Sequence, residues 1–163
     1  MRRKELADLI YDMIVNTIGI TETVIFQDEN GPRVEMPFLT IRVSNSTLVG
    51  SAYYDKSDAS GNQNIKTERD FVVSIQSYGA TEAIEQITEQ FDTQKVYDFM
   101  QLNCLAFRTT PIINDISQLF ENTIEKRYSL DVTIGTGTSI IDTPGFINKI
   151  DGSGKVDNID IDY

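Results

Sequence analysis

The amino-acid sequence predicts an α+β fold, with a mostly antiparallel (mixed) sheet, two helices packed on one face and a long β-hairpin loop. Two segments, one at the start and one in the middle of the chain, have the apolar spacing of amphipathic helices. The strand-like segments follow one another in runs instead of alternating one for one with helices. With 163 residues, 40% of them hydrophobic, the chain is large enough to bury a core.

The first helix is predicted near the start of the chain, where apolar residues recur three and four positions apart. Gly19 is a suitable C-cap, because glycine adopts a positive φ without a Cβ clash. Arg2 and Arg3 are expected outside the helix or frayed, since cations oppose the dipole at a helix N-terminus. Thr81 is expected to cap a second helix, whose apolar phase shifts near Asp92-Thr93 and predicts a kink or restart there. The face of the first helix comprises Leu6, Leu9, Ile10, Met13, Ile14 and Thr17.

Three strands are predicted between the helices. Thr23–Gln27 is a short β-rich segment, and the turn Asp28–Pro32 follows it. A second strand begins at Phe38 and continues irregularly to Gly50, with alternating side chains. The polar segment Asp55–Asn64 is predicted to be a long hairpin loop, without an evident partner in the chain. A third strand follows, from Ile65 to Tyr78.

Further strands follow the second helix. Pro111 opens an extended segment, and Ile124–Ile134 alternates as one clean strand. Gly135–Thr138 indicates a bent strand or hairpin tip; a phosphate loop is disfavoured because no helix follows. Gly152–Gly154 indicates a flexible joint. The predicted organisation is a single domain over residues 1–150 and a flexible acidic C-terminal tail over 151–163.

The composition removes most catalytic chemistry. Histidine is absent, so the commonest general base near neutral pH is missing. Cys104 is the only cysteine, which excludes an intrachain disulfide, and its apolar neighbours predict a buried side chain. Asp55, Asp58 and Asn62 lack the order of a calcium loop, so solvated loop polarity is the better interpretation. We therefore expect no catalytic residue, no cofactor and no metal site.

Charge limits the partners. Lys and Arg total 14 against 25 Asp and Glu, a formal net charge of −11. This balance disfavours binding to nucleic acid or to anionic lipid, since both ligands are held by cations. An apolar run long enough for a signal peptide or a membrane span is also missing from the sequence. The protein is therefore expected in the cytoplasm, wherever it is made.

Three stretches resemble the neck and tail-terminator family of bacteriophages. The first, Val24–Arg42, has the family's short strand, Asn/Pro turn, Pro-aromatic pair and second strand. Glu68–Gly79 looks like its strand that ends in Gln-x-aromatic-Gly before a long helix. Ile113–Ser117 and Glu125–Val132 resemble its Asp-hydrophobic-Ser turn and its Glu-x-Arg-x-x-Leu strand. The resemblance covers about Val24 to Ile134.

This resemblance implies a non-catalytic virion protein, a tail-terminator or neck subunit in a hexameric ring. Such a ring caps the tail tube, meets the head connector proteins and lets DNA pass without binding it. The implied partners are thus copies of this chain, tail tube protein and head connector proteins. The open alternatives are another connector or tube ring subunit, a host-type soluble binding module, or a hydrolase that uses carboxylates alone. Residues expected to contact a neighbouring subunit are Asp55, Lys56, Asp58, Asn62, Ile159, Ile161 and Tyr163.

Overall fold

The computed structural model describes residues 1–28, 31, 34–79, 82–119 and 122–144 and, by backbone alone, Phe120, Ser153–Val156 and Ile159–Asp162. Thr81, most of the predicted turn Asp28–Pro32, and Tyr163 lie outside the described residues. The helices are α1 (Arg3–Asp12), extended by a π-helical segment (Met13–Ile18), α2 (Glu82–Gln90) and α3 (Gln94–Leu102). The strands are β1 (Thr23–Phe26), β2 (Phe38–Tyr54), β3 (Gln63–Tyr78), β4 (Leu105–Phe107), β5 (Ile112–Asp115), β6 (Gln118–Phe120), β7 (Thr123–Glu125), β8 (Arg127–Asp142), β9 (Ser153–Val156) and β10 (Ile159–Asp162).

The main sheet confirms the predicted α+β class. Its strands lie in the order β1-β2-β3-β8-β4, and β5 also pairs with β8. β1 runs parallel to β2, whereas β4 and β5 run antiparallel to β8, so the sheet is mixed. Two separate antiparallel pairs, β6 with β7 and β9 with β10, accompany it.

The chain divides into two compact units. The core unit comprises Met1–Ser51 and Thr67–Thr138, and the hairpin unit comprises Ala52–Lys66 and Ser139–Tyr163. Residues 151–163, predicted as a tail, belong to the hairpin unit, where β9 pairs with β10. Ser153 and Gly154 therefore lie in a strand, although the sequence indicated a flexible joint there. The single domain over 1–150 stays a prediction.

The hydrophobic core lies in the core unit, between the helices and one face of the sheet. Alternate residues of the three long strands point to this face, as the two-residue period of a strand requires. The first helical face, predicted from its spacing, is buried against them. The strand contribution is Leu39, Ile41, Val43, Phe71, Val73, Ile75, Leu130, Val132 and Ile134; the helical contribution includes Leu6, Ile10, Met13, Ile14, Ile84, Ile87, Val96 and Met100.

The helix boundaries follow local chemistry. Gly19 has a φ of 86° and ends the π-helical segment, which confirms it as the C-cap. α1 begins at Arg3, so Arg2 lies outside the helix as predicted, whereas Arg3 is inside. The predicted restart near Asp92-Thr93 is also confirmed, because Thr93 is extended (ψ 149°) and α3 begins directly after it.

Cys104 corrects the sequence interpretation. It is exposed, not buried. Its φ is 55°, and its backbone N–H donates to the carbonyl of Gln101 (3.1 Å) as the chain leaves α3. A residue in the left-handed conformation just past a helix reverses the chain direction. The apolar neighbours of Cys104 belong to the elements on either side, so they do not predict its own burial.

The predicted strand Ile124–Ile134 is also wrong as a single element. β7 ends at Glu125 and β8 begins at Arg127, and the two have different partners. Alternation continues across Lys126, because both segments are extended. A period of two therefore cannot reveal where a chain exchanges one partner strand for another. Gly135–Thr138 lies inside β8, which agrees with a strand and not with a phosphate loop.

Candidate assembly surfaces

The loop between β2 and β3 contains four of the predicted contact residues. The carboxylate of Asp58 accepts hydrogen bonds from the backbone N–H of Ser60 (2.8 Å) and from the backbone N–H and Nδ2 of Asn62 (2.9 and 3.1 Å). The backbone bond from Asn62, followed by its side-chain bond, lowers the pKa of the Asp58 carboxyl. These bonds hold the tip of the loop in one conformation.

An ion pair holds the base of the same loop. Asp55 Oδ2 lies 2.9 Å from Lys66 Nζ, which is 5.8 Å from the centroid of the Tyr53 ring. The hydrogen bond with Asp55 raises the pKa of Lys66. The expectation that the loop lacks an intrachain partner is therefore wrong for Asp55. It is also wrong for Asp58 and Asn62, which bond to each other at the tip. Lys56, in contrast, is exposed to solvent.

The hairpin unit also exposes large apolar side chains. Tyr53 and Tyr54 lie at the end of β2, and Ile140 and Ile141 near the end of β8, and each is more than half exposed. Aromatic side chains are enriched at protein interfaces, because they bury a large area with few rotatable bonds. The sequence pointed to the polar loop, but large exposed apolar side chains such as these are more typical of protein interfaces.

A second exposed apolar surface lies on the β6–β7 hairpin. Leu119 and Ile124 are Cα partners in its register, and their exposed fractions are 72% and 68%. Directly opposite residues of an antiparallel pair place their Cβ atoms about 5 Å apart, so the two side chains form one patch. The sequence did not reveal this patch, because Ile124 alternates as part of the predicted strand Ile124–Ile134 and Leu119 lies outside that strand.

A third surface is formed by α3 and β4. A groove of about 420 Å³ opens there, and its lining includes Phe91, Met100, Leu105 and Phe107. Tyr97, also in the lining, is mostly exposed. A concave apolar groove of this size accepts a side chain or short segment of another molecule. The helical spacing in the sequence gave no separate sign of this outward face.

A fourth surface lies where α1 and β2 meet the end of β1. A groove of about 250 Å³ is lined there by three cationic side chains, Arg3, Lys4 and Arg42. Asp8 and Asp28 also line it, and Asp28 Oδ1 lies 3.5 Å from Arg42 Nε. The apolar part of the lining is Ala7, Phe26, Ile41 and Val43. We refer to this surface as the cationic groove.

The predicted contacts of the tail lie partly within the described residues. Ile159 and Ile161 belong to β10, which pairs in register with Val156 and Gly154 of β9. Tyr163 lies outside the described residues. β10 is paired along one side only in the described two-stranded sheet, so its other side offers backbone donors and acceptors.

In the described part of the chain, no group of three or more Asp, Glu or Cys side chains is placed to hold a metal ion. Gly135, part of the glycine-containing segment, instead makes room for the Arg108 guanidinium. Arg108 bonds to Glu68 (2.8 Å) and Asp70 (3.3 Å) on β3, an arrangement that ties the β4–β5 connection to the sheet. Across the same described residues, no helix is long and apolar enough to cross a membrane.

Comparison with known families decides the identity. The sequence profile of a family described as phage neck terminator protein matches residues 4–160, which is nearly the whole chain. The chain belongs to that family. No curated protein matches it.

As a phage neck terminator protein, the chain is a structural component of the virion. The resemblance stated from the sequence is thus confirmed. The family match is longer than that resemblance, since it includes α1 at one end and reaches into β10 at the other. A neck protein associates with other head or tail proteins of the phage.

Proposed function

We propose that this protein forms a hexameric ring that caps the tail tube and joins it to the head connector. The observation that carries the proposal is the presence of exposed apolar patches on unlike parts of the chain. One is the Leu119–Ile124 patch, and others lie at the end of β2 and on α3. A ring requires a heterologous interface, in which one surface of a subunit meets a different surface of the next.

The polar loop suits a contact role for a physical reason. Its internal hydrogen bonds, around Asp58 and between Asp55 and Lys66, fix the backbone before a neighbour binds. Association then costs less conformational entropy than it would with a loop that must be ordered on binding. We include Asp55, Lys56, Asp58 and Asn62 in the inter-subunit surface on this basis, together with Ile159, Ile161 and Tyr163 of the tail.

The acidic balance supports passage of DNA through such a ring. A net charge of −11 per subunit repels phosphate, so a lumen lined by this chain would not retain the duplex. A filter-binding assay at low salt, where any cationic site acts most strongly, should show no retention of duplex DNA. Micromolar binding that weakens steeply as salt rises would contradict a non-binding lumen.

The ring itself is tested by imaging and mass. The purified protein should form closed rings in negative-stain images, either alone at high concentration or after addition of purified tail tubes. Rings at tube ends with six-fold class averages are the expected result, and antibody labelling should place the protein at the neck of virions. A protein that stays monomeric at every concentration, does not bind tube ends and is missing from virions would contradict the proposal.

A further inference from the structure

We infer that the β1 edge of one copy receives the acidic tail of a neighbouring copy, whose aspartates are held by the cationic groove. The inference rests on the ring function proposed above and names the two surfaces that meet. Both surfaces lie within the one chain, and they are unlike each other. Their pairing is therefore a head-to-tail contact, which closes a ring when the rotation between subunits permits.

The receiving edge is a strand with one side unpaired. In the described sheet, β1 is the terminal strand and is paired only with β2, from Thr23↔Phe38 to Phe26↔Ile41. Val24 and Phe26 pack against the hydrophobic core, which holds the strand in place. A fixed strand with a free edge is a template for the addition of a further strand, with main-chain hydrogen bonds supplying affinity.

The groove at the end of β1 holds more cations than carboxylates, in an otherwise negative molecule. Its lining holds the three cations Arg3, Lys4 and Arg42 against two carboxylates, Asp8 and Asp28. Acidic residues outnumber basic ones 25 to 14 in the whole chain, so this excess of cations is local. Of the two carboxylates, Asp28 forms an ion pair with Arg42, with Oδ1 3.5 Å from Nε. The groove therefore suits an acidic segment.

The tail has the matching chemistry. Residues 156–163 include Asp157, Asp160 and Asp162, and none of these eight residues is Lys or Arg. Its last part alternates isoleucine with aspartate, so a strand of this sequence carries its acids on one face and its apolar side chains on the other. The backbone of β10 is already extended and paired along one side with β9. The unpaired side of β10 can therefore form main-chain hydrogen bonds with the free edge of β1.

A charge exchange tests the pairing. Asp160→Lys with Asp162→Lys, or Arg3→Glu with Lys4→Glu, should each weaken assembly about tenfold or more, because two attractions become repulsions and each exposed ion pair contributes up to about fivefold. All four substitutions in one chain restore complementarity and should recover most of the assembly. The double reversal Glu85→Lys with Glu89→Lys, on the exposed side of α2 and outside every surface proposed for contact, changes the charge by the same amount as the tail variant; it is the matched control and should leave assembly unchanged. Circular dichroism verifies the fold of each variant.

Cross-linking identifies which copy supplies the tail. In a Cys104→Ser background, Gln27→Cys with Asp160→Cys should give a ladder of covalently linked subunits under mild oxidation, because Gln27 is exposed and lies between Phe26 and Asp28 of the groove lining. A bond formed within one chain, or no bond at all, would overturn the inference, as would four substitutions without recovery. Rings that form equally well in every variant would overturn the inference while leaving the ring function intact. Failure of the wild-type protein to form rings would instead count against the proposed function.

Discussion

The Leu119–Ile124 patch leads to the sharpest prediction, because its exposure separates assembly from folding. Substituting Leu119→Thr and Ile124→Thr removes the patch and retains residues that favour strands. The side chains are 72% and 68% exposed in the single chain. Most of their apolar area is therefore available to a neighbour and contributes little to the core.

The magnitude follows from these fractions. Full burial of a Leu or Ile side chain stabilises by about 1.5–3 kcal/mol, so the exposed share of each is worth about 1–2 kcal/mol at an interface. Together the two should contribute about 2–4 kcal/mol, which weakens each contact by about 30- to 700-fold. The share already buried in the single chain is about a third, so the loss in the free energy of unfolding should stay below about 2 kcal/mol.

Analytical ultracentrifugation across a concentration series measures the first quantity, and urea unfolding followed by circular dichroism measures the second. Leu130→Ala is the control with the opposite pattern. Leu130 is fully buried, and its truncation should cost about 2–5 kcal/mol in unfolding free energy without changing the exposed patch. A double variant that assembles at the wild-type concentration would refute the assignment of the β6–β7 hairpin to an interface.

Three further outcomes are expected. Gly135→Ala displaces the Arg108 guanidinium from its carboxylate partners and should lower the unfolding free energy by about 1 kcal/mol. This loss should be smaller in a protein that already carries Arg108→Ala. Asp58 should titrate below 3.8 in a carboxyl NMR experiment, and Asn62→Ala should return its pKa towards that value. Since the folded-state pKa is lowered, the stabilisation is present above the unfolded pKa and is lost as pH falls through the folded one. Cys104 should react with a thiol reagent in the native protein, and labelling that requires denaturant would contradict its exposure.

The sequence was sufficient for the parts of the fold that depend on periodicity. The face of α1, the C-cap at Gly19 and the restart after Thr93 follow from spacing and local conformational preference. The α+β class follows from the order of strands and helices. Each of these features depends on residues close together in the chain, which is the information that a single sequence contains.

The candidate contact surfaces were harder to predict from the sequence, for a related reason. Ile124 alternates with its neighbours as a buried strand residue would, and only its pairing with Leu119 on a separate hairpin exposes it. From the sequence, Asp58 was expected to be a solvated loop carboxylate. In the structure it accepts three hydrogen bonds from its own loop, two of them from Asn62, four positions away. Partner choice and exposure are set by the tertiary structure, so pattern alone does not reveal them.

The place of β8 in the sheet has a consequence for how the protein is made. β8 is the last strand of the main sheet in the chain, yet it lies between β3 on one side and β4 and β5 on the other. A ribosome must therefore deliver residues beyond Arg127 before the earlier strands acquire their shared partner. Non-local pairing of this kind slows folding, because the loops must close before the contacts form. A nascent chain that stops short of β8 keeps the edges of β3, β4 and β5 open to other chains. Fragments of this protein should thus aggregate where the intact chain folds.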